Sequence, residues 1–217
     1  MLATEYASIS KELQELSKTI PLYWGAVQND NTDAKLNLFN IKSKQQLETK
    51  IADFNKKDKN YFRRRWFLWQ CAKVDEFLFY HQNNIRKNPN SKDKNWDVEF
   101  NQNPNLRFDI KSTIVPKKLR STFSISDEEK IINFYYTNQS KGVRNHLQNR
   151  LFIVHHSFYK PERSLFLRCH WDLKVKAYQH FYNLLKTDVN FISYKTVIAK
   201  CIFIFEHKNN TFSYTIV

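Results

Sequence analysis

Between Trp96 and Lys111 the hydrophobic pattern of this chain has a period of two, and that fixes a local structure more tightly than any other stretch does. Trp96-Asp97-Val98-Glu99-Phe100 alternates apolar and polar residues, and Leu106-Arg107-Phe108-Asp109-Ile110-Lys111 does the same. Alternation of this kind belongs to a strand with two different faces. Residues 101–105, Asn-Gln-Asn-Pro-Asn, have the composition of a turn. The stretch predicts a β-hairpin. With Asn103 at the centre of the turn, Phe100 faces Leu106, Glu99 faces Arg107, Val98 faces Phe108 and Asp97 faces Asp109. Val98, Phe100, Leu106, Phe108 and Ile110 then share one face, and Asp97, Glu99, Arg107, Asp109 and Lys111 share the other. A slip of one residue would mix the two sets, so the register is well specified.

This register has a chemical consequence. Residues opposed on neighbouring strands have Cβ atoms about 4.5–5.5 Å apart, and like charges held there destabilise a sheet. Asp97 opposite Asp109 therefore calls for a cation between them. A hard cation such as Mg²⁺, with Mn²⁺ as a substitute, accepts one or two carboxylates and completes its shell with water and phosphate oxygens. Lys111, two residues beyond Asp109 on the same face, can reach a phosphate or an attacking water beside that ion. The plainer alternative is a solvated face of Glu99–Arg107 and Asp–Lys pairs. It explains the alternation but gives no reason for two opposed aspartates.

Around the hairpin, helices are expected over residues 4–18, over 44–55 with Ser43 as N-cap, and over 59–84. On the long helix Phe62, Trp66, Trp69, Lys73 and Phe77 track one side, with Glu76 beside that seam; both tryptophans are read as core in preference to base-stacking platforms. Residues 86–95 read as a polar loop. Ser126 and Glu129 suggest a capping box opening a helix over 127–138. Strands are expected over 151–155 and 196–206, over 211–217 after the turn at Lys208-Asn209-Asn210, and also over 164–168. A helix opened or capped by Asp172 runs to about Lys186. His155 and His156, adjacent on a strand, point to opposite faces and cannot jointly hold one metal; one buried and one exposed ring is the expectation.

The stretch 96–116, WDVEFNQNPNLRFDIKSTIVP, resembles the PD-(D/E)xK nuclease superfamily. In that superfamily an acidic residue and a later (D/E)xK triplet lie on a hairpin and bind the metal, and the lysine assists the hydrolytic water. Asp97 matches the first acid, Asp109 the second and Lys111 the lysine. A glutamate on the helix before the hairpin often completes such a site; Glu76 matches by position, with Asp75 as the neighbouring alternative. The order helix, hairpin, helix, strand over about residues 60–157 is similar too. Trp96 stands where the name of the superfamily has proline. The bare triplet recurs at Asp33, Glu48, Glu128, Asp172 and Glu206, and only Asp109-Ile110-Lys111 lies on an alternating strand with an acid opposite. The resemblance implies an α/β, restriction-endonuclease-like mixed sheet flanked by helices over residues 59–217, with a helical extension over 1–58. It implies an Mg²⁺-dependent endonuclease, with a nuclease-like binding module that does not cut as the alternative.

The rest of the chain bears on partners. The net charge of +14 attracts polyanions. Nucleic acid, with DNA as the expected polymer, is the partner the resemblance implies, and cleavage of both strands would favour a homodimer. Arg107, Lys117, Lys118, Arg120, Gln139, Arg144 and Arg150 are the candidate contacts, and Arg63-Arg64-Arg65 is the densest arginine cluster. Three scattered cysteines, Cys71, Cys169 and Cys201, have no zinc-ligand spacing. Only two glycines occur, at 25 and 142, which removes P-loop and Rossmann motifs. No run of about 18 apolar residues is present, so no membrane span is expected. The polar start of the chain lacks a leader's apolar stretch, and a cytoplasmic location is the expectation.

Overall fold

A computed structural model describes residues 1–22, 32–90, 93, 95–138, 147–187 and 189–217. The chain divides into two compact units, Met1–Val74 and Asp75–Val217. The first is helical. It contains α1 (Ala3–Ser17), α2 (Lys44–Lys50) and most of α3 (Lys56–Tyr80). Ser43 caps α2 as expected, its Oγ accepting the Gln46 N–H at 3.2 Å, but α2 stops at Lys50 instead of running to residue 55. Ile9, Leu13, Leu16, Leu47, Ile51, Phe62 and Trp66 are buried. The arginine cluster is largely committed to structure. Arg63 grips Glu48 through two hydrogen bonds of 2.8 and 2.5 Å, Arg65 pairs with Asp33 at 3.3 Å, and Arg64 is buried beside the Tyr61 ring.

The second unit is α/β. Its strands are β1 (Ile85–Lys87), β2 (Val98–Phe100), β3 (Arg107–Ile114), β4 (Arg150–Ser157), β5 (Ile192–Tyr194), β6 (Val197–Glu206) and β7 (Phe212–Ile216), with α4 (Glu128–Asn138) and α5 (Trp171–Leu184). They form one mixed seven-stranded sheet in the order β1-β2-β3-β4-β6-β5, with β7 also paired to β6. β1, β2 and β3 are antiparallel neighbours, whereas β3–β4 and β4–β6 are parallel. The hairpin register is the expected one, with Val98 opposite Phe108 and Glu99 opposite Arg107.

Both faces of the central strands are covered. On one, Ile131, Ile132, Tyr135 and Tyr136 of α4 belong to a core with Phe152, Val154, Cys201 and Phe203. On the other, Phe79, Phe100, Tyr178 and Phe181 form an aromatic layer, with Phe79 stacked on Tyr178 at 4.1 Å. Strands buried on two sides read as continuous apolar runs, as Leu151–Val154 and Cys201–Phe205 do. The same burial corrects the expectation of one exposed histidine: His155 and His156 are both buried, because neither face of β4 meets water. His155 Nδ1–H donates to Thr113 O at 2.8 Å, and His156 lies between Phe123 and Phe158.

Three further expectations are corrected. Residues 161–169 form a 3₁₀ segment, not a strand; Pro161 at its start has no N–H for a sheet ladder. The cap before α4 lies two residues earlier than expected, with Asp127 accepting the Ser124 N–H at 2.9 Å. Arg86 and Lys87, expected in the polar loop, pair with β2 as part of the edge strand β1.

Candidate active site

The site arises where the hairpin comes apart. β3 pairs with β2 through Arg107 and Phe108, and with β4 from Asp109 onward. Consecutive strand N–H groups point to opposite edges. Asp109 N–H turns toward the β4 side and meets Asn149 O at 2.9 Å. Ile110 N–H therefore points to the side where β2 no longer runs, because Asp97 lies just before the first β2 residue. The Asp97 carboxylate fills that gap and accepts the Ile110 N–H at 2.7 Å. Glu128 does the same between β5 and β7, accepting the Cys201 N–H at 2.7 Å. The two plugs differ in their surroundings. Glu128 is matched by Lys200 at 3.1 Å, whereas Asp97 faces another carboxylate.

Asp109 is buried, and the Lys111 ammonium is hydrogen-bonded to its Oδ1. Its Oδ2 has no hydrogen bond, although Arg150 Nε lies 3.4 Å away. Burial pushes the Asp97 pKa up to about 6, and the charge of Asp109 beside it adds to the shift; Lys111 and the Ile110 N–H oppose it. Glu76 comes into the same field from α3. Burial, then the Asp97 charge, push it up to about 7, with Lys87 and Lys111 opposing. The structure thus brings together Asp97, Asp109, Lys111 and Glu76. Asp75 points elsewhere. It is fully buried and bonded to Lys174 Nζ at 2.6 Å and Tyr178 OH at 2.8 Å.

The candidate nucleic-acid contacts fare differently. Arg107 is half-buried, paired with Glu99 at 2.6 Å and lying over the Trp96 ring. Lys117 and Lys118 are exposed on a short turn after β3. Arg120 braces that turn, its Nε donating to Val115 O at 3.0 Å. Arg150 is only 5% exposed and stands beside Asp109 and over the Tyr136 ring, inside the sheet rather than on the surface. Gln139 and Arg144 lie outside the described residues. Sequence reasoning missed Lys87, which approaches Glu76 from β1; a three-residue strand is too short to show a period. It also missed Asn149, whose side chain ties Asn105 O to Ile198 N–H and so braces the hairpin turn against β6.

The donor set can be weighed against a divalent cation. Among the described residues no group of three or more His, Cys, Asp or Glu side chains has the spacing of a metal cage. A buried and a half-buried carboxylate, mutually repelling and with one oxygen free of hydrogen bonds, do fit a hard cation that keeps most of its shell for water and phosphate. The amine on Asp109 Oδ1 occupies the position of a counter-cation.

The Glu76 shift has a definite sign. A carboxyl with a raised folded pKa binds its proton more tightly when folded, so its ionisation destabilises the protein as pH rises from about 4 to about 7. Buried His155 and His156, both held below the ordinary histidine range by burial, act in the opposite direction as pH falls. The difference between wild type and Glu76→Gln cancels the histidines. Without metal, Glu76→Gln is expected to be more stable than wild type by up to about 3 kcal/mol above pH 7, the two converging near about pH 4. Denaturant melts at several pH values check this, and a gap that does not change with pH contradicts it.

Among the described residues no helix is long and apolar enough to cross a membrane. Comparison with protein-family models, with curated proteins and with solved structures finds no match, so the functional reading rests on the residues and geometry of the chain itself.

Proposed function

We propose that the second unit is a metal-dependent phosphodiesterase acting on nucleic acid, with DNA as its substrate, on a restriction-endonuclease-like fold. The observation that carries this reading is the convergence of Asp97, Asp109 and Lys111 at the split between β2 and β3, with Glu76 in the same field. The mixed sheet flanked by α4 and α5 is compatible with that fold.

Each residue then has a task. Asp97 and Asp109 would hold one Mg²⁺, or Mn²⁺ in its place. When bound, such an ion would supply charge stabilisation at the scissile phosphate and lower the pKa of a water beside it. Lys111, now paired with Asp109, orients the attacking water or a phosphate oxygen. Glu76, whose raised pKa lets it take a proton near neutrality, would accept a proton from the attacking water. Lys117 and Lys118, exposed at the end of β3, contact the nucleic-acid backbone. The positive charge of the chain draws the substrate in.

Mg²⁺-dependent cleavage of plasmid or linear duplex DNA tests the reading. Cutting that appears with Mg²⁺ or Mn²⁺ and stops with chelator supports it. The second reading, a nuclease-like module that binds without cutting, draws on the closed Lys111–Asp109 pair and on the lack of a third close donor among the described residues. DNA binding that weakens steeply with salt, with no cleavage under any divalent ion, would favour it.

A further inference from the structure

The helical unit carries a feature that the proposed cutting site does not use. Phe39 is 66% exposed, yet the short 3₁₀ turn that bears it, Leu38–Asn40, is firmly anchored. Leu38 and Ile41 on either side are buried. The Asn37 side chain accepts the Phe39 N–H at 3.0 Å. Ile41 O accepts two side-chain donors from α3, Trp66 Nε1 at 2.9 Å and Gln70 Nε2 at 3.0 Å. The Phe39 ring is therefore held at a fixed place, and it meets the Trp69 ring edge-on at 5.4 Å. Lys73, one helical turn on, lies over the Trp69 ring at 4.7 Å. Three side-chain hydrogen bonds thus anchor the backbone that carries an aromatic ring which itself gains little from burial.

A cavity of about 400 Å³ adjoins this stack through Lys73 and Lys42. The carboxylates in its wall are already engaged: Glu12 accepts the Lys44 N–H at 2.6 Å, and Glu5 accepts the Leu2 N–H at 2.7 Å. Lys42 and Lys73 both act on Glu5. The surface thus combines an open aromatic face with ammonium groups a few residues away. An unpaired base has a π-face for the ring, and its phosphates suit the lysines.

We propose that Phe39, backed by Trp69 and flanked by Lys42 and Lys73, is a stacking platform for an unpaired base of single-stranded nucleic acid. The platform is independent of the proposed metal site. The exposed ring can be removed with little effect on folding, since it buries little surface. The test is fluorescence anisotropy of the full chain with a labelled short oligothymidylate in chelator, beside an abasic oligomer of the same length. Wild type should bind the oligothymidylate about tenfold more tightly than the abasic strand. Phe39→Ala should lose that preference, Phe39→Trp should keep it, and the response of Phe39→Ala to Mg²⁺ should match that of wild type. Equal wild-type affinity for the two strands, or an unchanged preference in Phe39→Ala, would overturn the proposal. Loss of the preference in Phe39→Ala supports it even where no Mg²⁺ response is seen; that outcome would count against the metal site alone.

Discussion

Asp109→Asn is expected to reduce Mg²⁺-dependent cleavage by about a thousandfold or more, in a protein that still folds but is less stable because buried Arg150 loses its partner. Asn keeps the shape and an oxygen but loses the charge that a hard cation needs. The partner experiment is Lys111→Met. The Lys111 ammonium sits on Asp109 Oδ1 and thus competes with any cation for that oxygen. Its removal should leave metal binding intact or tighter, while cleavage falls by about a hundred- to ten-thousandfold. Tighter metal with slower chemistry separates a residue that handles water or phosphate from one that merely supports the fold. A Lys111→Met protein that cuts at the wild-type rate would remove the amine from the mechanism.

The second large effect concerns two neighbours on α3. Asp75 and Glu76 are adjacent carboxylates, yet burial gives them opposite roles. Asp75 is buried with Lys174, and both are fully shielded from water. Removing one partner of such a pair strands the other charge, so Asp75→Asn is expected to destabilise the protein by about 3–5 kcal/mol. That corresponds to a melting temperature lower by about 10 °C. Adding Lys174→Met should recover much of the loss, because no unpaired charge then remains. Glu76→Gln, by contrast, should stabilise the metal-free protein above neutral pH, as its raised pKa requires. If the two substitutions shift the melting temperature in the same direction and by similar amounts, the division of labour between them is wrong.

Much of this arrangement was legible in the sequence where local chemistry dictates structure. The period-two pattern and the turn after Phe100 gave the hairpin its register, and Val98–Phe108 pairing follows from keeping apolar side chains on one face. Ser43 found its helix because a hydroxyl before an amphipathic run satisfies an orphan N–H. What stayed hidden depends on tertiary burial. His156 could not be known to be buried until Phe123 and Phe158 packed around its ring. Arg150 is expected as a nucleic-acid contact, yet the parallel pairing of β3 with β4 sets it opposite Asp109. The choice between Asp75 and Glu76 depended on which one meets Lys174, a contact across 99 residues of chain. The shift of the α4 cap from Ser126 to Ser124 is of a different kind, since both are serines followed three residues later by an acid.

Calorimetric titration of Mn²⁺ into the wild type, Asp97→Asn and Asp109→Asn proteins tests most directly whether two aspartates at the opening of the hairpin share one divalent ion. One ion bound per wild-type chain, with binding lost or sharply weakened in both variants, is the expected result. No binding by the wild type, or binding by both variants at wild-type strength, contradicts it.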